Sequence, residues 1–357
     1  MAGFVNFSTD DFLGLNRKFR TYEARNTHLN DDALSEWCTV ISSLKRIFKS
    51  NILLFPDESS VHCLLLQNLV TSHDFIVMDE LANPNLKIAV KHLNNLGIKS
   101  RTISLDNLEK LTKIITERSK INGKVWFVGQ SIYPTPGKFS QLTVLNHLLE
   151  KYKNLYLILE DSYGLGLFGS LGEGIVYSTF QNLQRVVIVA ALTKGFGAGN
   201  GAVAVSGIES SFFKEDFNTQ GWTVQNLNQI FEISNLINNN EIVALQEQLM
   251  KKIKFFQKLI QDNLFYENDP ALPLCFIPVR LPQMCHVICS NLLKEGLYVS
   301  SAIYPHTSME HPGIKINITI DHTENDLKKL AVAFKDCYSI AFNKYKTVTS
   351  NLKTNLT

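Results

Sequence analysis

What these 357 residues lack narrows the problem first. No run of about twenty apolar residues free of charge occurs, so no membrane-spanning helix is expected. Neither sign of charge is in excess. Lys and Arg are dispersed and the net charge is +2, which leaves no electrostatic footprint for nucleic acid. Cysteine is sparse: 6 residues with no paired spacing exclude a disulfide framework and point to reduced thiols in a cytosol. The opening MAGFVNFSTDDFLGL carries acids where a secretory leader has basic and then apolar residues, so a cytoplasmic location is expected. Internal repeats and low-complexity tracts are also missing.

What is present is an ordinary globular composition, 45% hydrophobic and 19% charged, on a chain long enough for two domains. Short apolar runs alternate with helical patterns: IVMDEL, LKIAVKHLNNLG, SRTISL, then KVWFVGQS, TVLNHLLEKYKN, LYLILEDS, and finally RVVIVAAL and GAVAVSG. This pattern predicts an α/β fold with a mostly parallel sheet covered by helices on both faces. The large domain is read as residues 36–240, after an N-terminal segment 1–35. A helical stretch from about Asn226 to Asn263 then connects to a smaller α+β domain within 241–357. There CFIPVRL, MCHVICSNLLKEG, LYVSSAIY, GIKINITI and ENDLKKLAVAFKDCYSIAF read as β-α-β-β-α, and the alternation in IKINITI implies a sheet with one covered face. Cys285, His286 and Cys289 share a helix and read as buried thiols, not as a metal site.

Two segments carry candidate chemistry. In VVIVAALTKGFGAGNGAVAVSG a buried strand runs straight into Thr193 and Lys194, followed by Gly195, Gly197, Gly199 and Gly201. That places an amine at the carboxyl end of a strand, where open α/β sheets bind ligands, and the glycines permit close backbone approach. Desolvation would favour the neutral amine needed to attack an aldehyde. Taken alone, the segment equally allows a surface lysine in a glycine-rich loop. In LYLILEDSYGLGLFGSLGEG, Glu160 and Asp161 end a very apolar strand. A carboxylate there suits a protonated pyridine nitrogen, although an acid capping the next helix has the same appearance.

The order of motifs resembles the α-oxoamine synthase family of fold-type-I enzymes, which use pyridoxal 5'-phosphate (PLP). NFSTDDFLGL resembles the NFSSNDYLGL-type opening, LLFPDESS resembles LLFPSGYAAN, and FIVMDELANPN resembles the DELNHAS segment. VWFVGQSIYPTPGKFSQL, LILEDSYGLGLFGSLGEG and ALTKGFGAGNGAVAVSG are similar to VTEGVFSMDGDIAPL, VDDAHATGVLGPNGRG and TLSKALGSAGGYVAGS, and the match continues through the C-terminal lobe. The resemblance implies a homodimer that condenses an amino acid with an acyl-CoA. It makes Lys194 the Schiff-base lysine and Glu160 the pyridinium partner, with Asp161 beside it. Tyr163 stands where the family has the histidine of DDAH, and Asn83 where it has a histidine stacked on the cofactor ring. Ser59, Ser60 and Thr193 are left to hold the phosphate, since Ala191 replaces a threonine and Asp57-Glu58 replaces a Ser-Gly pair. Lys315 stands for the substrate-carboxylate arginine, without its bidentate fork. The GSGGSR loop has no counterpart in RTYEARNTHLNDD, and Pro134 replaces the serine of EGVFS. LEDSYGLGLFG also resembles LEESLSFGVLG of the non-catalytic serine palmitoyltransferase subunit. A partner chain without turnover of its own, or a different PLP reaction such as transamination, therefore stays open.

Overall fold

The computed structural model describes residues 3–16, 41–42, 44–45, 47–104, 108–121, 123–180, 182–198, 201–208, 224–260, 268–304, 307, 309 and 311–346. Gly199, the RTYEARNTHLNDD segment, Cys38 and the tail from 347 lie outside them. The chain divides into two compact units. One comprises Met1–Gly14, Pro134–Lys138 and Leu245–Thr357; the other comprises Leu15–Tyr133 and Phe139–Ala244.

After a two-residue strand β1 (Val5–Asn6), the larger unit begins with β2 (Asn51–Phe55) and helix α1 (Glu58–Leu69). It continues through β3 (Phe75–Asp79), α2 (Pro84–Asn95), β4 (Lys99–Ile103), α3 (Leu108–Ser119) and β5 (Val125–Gln130). Two short strands, β6 (Ile132–Tyr133) and β7 (Lys138–Phe139), lead to α4 (Leu142–Lys151) and β8 (Leu155–Glu160). Helix α5 (Ile175–Thr179), β9 (Val186–Ala191) and β10 (Ala202–Ser206) complete the sheet, whose order is β2-β10-β9-β8-β5-β3-β4.

Five adjacent strands, β9-β8-β5-β3-β4, run parallel, while β10 and β2 pair antiparallel. The reversal at β10 follows from chain length. A parallel neighbour needs a crossover of a dozen or more residues, whereas Leu192 to Gly201 only turns back. Every residue of β5 and β9 is buried, as expected for strands sandwiched between helices. One sheet face presents alternate residues, Leu53 and Phe55, Trp126 and Val128, Val187 and Val189, Ala202 and Ala204. Against it lie Val61, Leu65, Leu66 and Leu69 of α1 and Leu86, Ala89, Val90 and Leu93 of α2. Each fully buried leucine here contributes roughly 1.5–3 kcal/mol.

The helical stretch expected from Asn226 to Asn263 is broken. It forms α6 (Val224–Asn238) and α7 (Glu241–Ile260), divided at Asn240, whose φ is +57°. Asn238, Asn239 and Asn240 are poor helix formers, and asparagine tolerates the left-handed region better than most side chains.

In the smaller unit β11 (Leu274–Pro278), α8 (Pro282–Lys294), β12 (Leu297–Tyr298), β13 (Ser300–Ala302), β14 (Gly313–Asn317) and α9 (Glu324–Lys344) follow in turn. The antiparallel sheet has the order β11-β14-β13, and β1 pairs parallel with β12. Ile314, Ile316 and Ile318 are buried, but Asn317 and Thr319 on the alternate face are buried too and only Lys315 is partly exposed. The open face expected from the alternation is therefore not seen: the N-terminal segment lies against it, the Phe7 carbonyl accepting the Asn317 N–H at 2.7 Å. A capping box between Thr323 and Asp326 starts α9. Cys285 is buried on α8, where its thiol donates to the Gly313 carbonyl at 3.4 Å. Among the described residues no cluster of metal-ligating side chains occurs, and no helix is long and apolar enough to cross a membrane.

Candidate active site

Lys194 follows β9 by three residues and is half-buried at the carboxyl end of the parallel strands. Its Nζ lies 4.1 Å from the centroid of the buried Tyr163 ring, within range of a cation–π attraction of roughly 0.5–2 kcal/mol. Thr193 stands beside it, also half-buried.

The loop bearing Lys194 is locked to the turn bearing Tyr163 by close backbone packing. A Cβ added to Gly195 would lie 2.0 Å from the Leu165 carbonyl oxygen and 3.2 Å from Gly166 Cα, so only glycine fits. Gly166 and Gly197 both take positive φ, +82° and +61°. The Leu192 N–H donates to the Gly201 carbonyl at 2.8 Å, the Ala198 N–H to Leu192 at 3.0 Å, and the Ala191 N–H to Ser162 Oγ at 2.8 Å.

On the neighbouring strand β8, Glu160 pairs in register with Val189 of β9 and is 2% exposed. Its Oε1 accepts the Ser162 N–H at 3.1 Å. Asp161 is turned to other partners. It accepts the Ser131 hydroxyl at 2.5 Å and the Val176 N–H at 3.0 Å, which caps the start of α5. A Cβ on Gly164 or Gly174 would lie 2.0 or 2.3 Å from an Asp161 oxygen, so the glycine-rich turn is wound around this carboxylate. Burial pushes its pKa up to about 7, against the pull of the Ser131 and Val176 hydrogen bonds. Both oxygens of Asp161 therefore have structural work in the turn.

The residues assigned by resemblance to the phosphate and the ring are placed differently. Ser59 and Ser60 lie in the first turn of α1, but Asp57 caps that helix, its Oδ2 accepting the Ser60 N–H at 2.9 Å. Burial pushes the Asp57 pKa up, yet hydrogen bonds from Ser59 and Ser60 outweigh it and the carboxyl sits below its usual range. Asn83 is the N-cap of α2: its Oδ1 accepts the Leu86 N–H at 2.8 Å, and Pro84 follows at the first helical position. Lys315 belongs to the smaller unit, where its Nζ is 3.3 Å from Asp10 Oδ1; Asn317 Nδ2 donates to the same oxygen at 2.7 Å.

One residue escaped the sequence reading. His62 on α1 is 1% exposed, and neither ring nitrogen has a hydrogen-bond partner among the described residues. Burial pushes its pKa down to about 4; Glu160 pulls it up and Lys194 pushes it down further, so both groups lie within its electrostatic reach. A signal existed: His62 occupies the apolar stripe of α1 with Leu65, Leu66 and Leu69, where a polar side chain is out of place.

A protein of Methanococcus vannielii, provisionally named 8-amino-7-oxononanoate synthase, is 24% identical over 343 residues, covering 91% of this chain and 90% of that one. The 8-amino-7-oxononanoate synthase of Buchnera aphidicola is 21% identical over 352 residues, covering 94% and 89%. The chain is similar over nearly its whole length to proteins named 8-amino-7-oxononanoate synthase, which supports the α-oxoamine synthase resemblance. No protein-family model matches the chain. Two solved structures share its fold. Serine palmitoyltransferase of S. paucimobilis, solved with bound PLP-myriocin, superposes with a TM-score of 0.76 at 12% identity, over 95% of this chain and 88% of that one. 8-Amino-7-oxononanoate synthase of Francisella tularensis does so with a TM-score of 0.72 at 17% identity, over 96% and 99%. The fold is the α/β scaffold of the type I PLP enzymes.

Proposed function

We propose that this chain is a PLP-dependent acyltransferase that condenses an amino acid with an acyl-CoA, working as a cytoplasmic homodimer. The names of its sequence relatives and fold neighbours support this reading. The observation within the chain that carries it is the placement of Lys194 and Glu160 at the carboxyl ends of adjacent parallel strands.

The residues present fit the ring end of the cofactor. The Lys194 amine lies over the Tyr163 ring, the buried Glu160 carboxylate ends the neighbouring strand, and the His62 imidazole is buried with no hydrogen-bond partner among the described residues. The first turn of α1 fits the phosphate less well, because Asp57 already takes the Ser60 N–H and would repel a second anion. Thr193, and Ser59 and Ser60 once Asp57 turns away, are the groups available to hold it.

Bound PLP supplies an electron sink for a carbanion beside the amino nitrogen of the substrate. The chain supplies the rest. Lys194 would hold the aldehyde of the cofactor through its Nζ, and that amine would be the group to move the substrate Cα proton. Tyr163 orients that amine through its ring face. Glu160, a buried carboxylate at the strand end, would hold a proton at the pyridine nitrogen of the bound cofactor.

CoA release tests the reading. It is expected to require both an amino acid and an acyl-CoA and to vanish in Lys194→Ala. Turnover of an amino acid with a keto acid, independent of acyl-CoA, would replace it with transamination. A second reading, a partner chain without its own turnover, is favoured by the Asp57 cap; activity that appears only with a second synthase chain would establish it.

A further inference from the structure

Helix α1 carries a polar group that the mechanism above does not use. His62 lies on the face packed against the sheet, among the leucines of that stripe, and both its ring nitrogens are buried without a partner among the described residues. Leaving such a group unsatisfied is costly, and folded chains retain few of them. A leucine would fill the same place in the stripe without that penalty. The two charged groups that bear on His62 are Glu160 and Lys194, the carboxylate and the amine of the candidate site. The helix that carries the imidazole packs on β9 and β10, the strands that flank the Lys194 loop. Being neutral, the imidazole offers one donor and one acceptor nitrogen.

We propose that His62 is a ligand-contacting residue of this site, donating a hydrogen bond from its ring N–H to an oxygen of the aldehyde cofactor held at Lys194. The inference rests on the functional reading above and adds a residue to it. It has a consequence that a purely structural histidine lacks. The unpartnered ring burdens the cofactor-free protein and is satisfied only when the ligand is in place. Replacing it with an apolar side chain should therefore move stability and affinity in opposite directions.

The test uses the full chain with PLP itself as the probe. His62→Leu and His62→Phe are compared with the parent protein by absorbance titration of PLP and by thermal unfolding without PLP. The expected result is a loss of PLP affinity of about tenfold or more, with an unliganded Tm that is unchanged or raised. Two apolar shapes guard against a packing failure in one of them. If the parent binds PLP and both variants bind it equally well, His62 makes no ligand contact and the proposal is overturned. A fall in unliganded Tm that accompanies the affinity loss in both variants would also overturn it, by making His62 a structural residue. If the parent itself takes up no PLP, this inference and the functional reading fall together, an outcome distinct from the other two.

Discussion

The Leu165 carbonyl oxygen occupies the place where any side chain on Gly195 would begin: a Cβ built there would sit 2.0 Å away. Two turns leaving adjacent strands are thus pressed together backbone to backbone, and this contact sets where Lys194 and Tyr163 meet.

Gly195→Ala forces those turns apart. Overpacking of this kind costs roughly 1–3 kcal/mol, and the displacement falls on the residue next to Lys194. The variant should unfold at lower temperature and lose most of its PLP-dependent visible absorbance. Thermal unfolding together with a PLP titration checks this; a variant with the parent's affinity would mean that the contact does not position the lysine.

Asp57→Ser removes a negative charge from the first turn of α1 while keeping a side chain that caps well. Stability should change by less than about 0.5 kcal/mol, since serine and aspartate are nearly equal as N-caps. PLP affinity should rise by about tenfold, equivalent to ~1.4 kcal/mol, because the Ser60 N–H and the helix start become available to the phosphate. Pyridoxal, which lacks the phosphate, should show no gain. Equal gains for PLP and pyridoxal would place the phosphate elsewhere.

Asp161 governs a pH effect. Burial raises its pKa to about 7 in the folded chain, against ~3.9 for a free side chain. Between those values the folded state holds a proton that the unfolded state has lost, so stability falls as pH rises through this window. Asp161→Asn cannot ionise. The Tm of this variant minus that of the parent should therefore increase from pH 5 to pH 8 (trial conditions spanning roughly that window). A constant difference would show that the carboxylate ionises freely within its turn.

The parts of this fold legible in the sequence are those set by local pattern. Apolar runs such as VVIVAA and VWFVGQ, with no polar face, mark strands covered on both sides, and they position Glu160 and Lys194 at strand ends. Other features depend on what meets what in space. The antiparallel turn of β10 is a matter of connection length, and the break at Asn240 depends on one backbone angle that helical periodicity does not encode. Asp57 and Asn83 read as cofactor-loop positions in a motif alignment, yet their oxygens cap their own helices, a commitment visible only with the first turns in place. His62 was hidden differently: its residue type was apparent, but its lack of partners among the described residues and the influence of Glu160 and Lys194 on it exist only once α1 packs on the sheet.

The central claim is that Lys194 carries an aldehyde cofactor, and borohydride trapping tests it most directly. Incubation with PLP should produce visible absorbance, and reduction followed by peptide mass mapping should place a single pyridoxyl group on Lys194. A protein that stays colourless, or a label spread over surface lysines and absent from Lys194, would contradict the account.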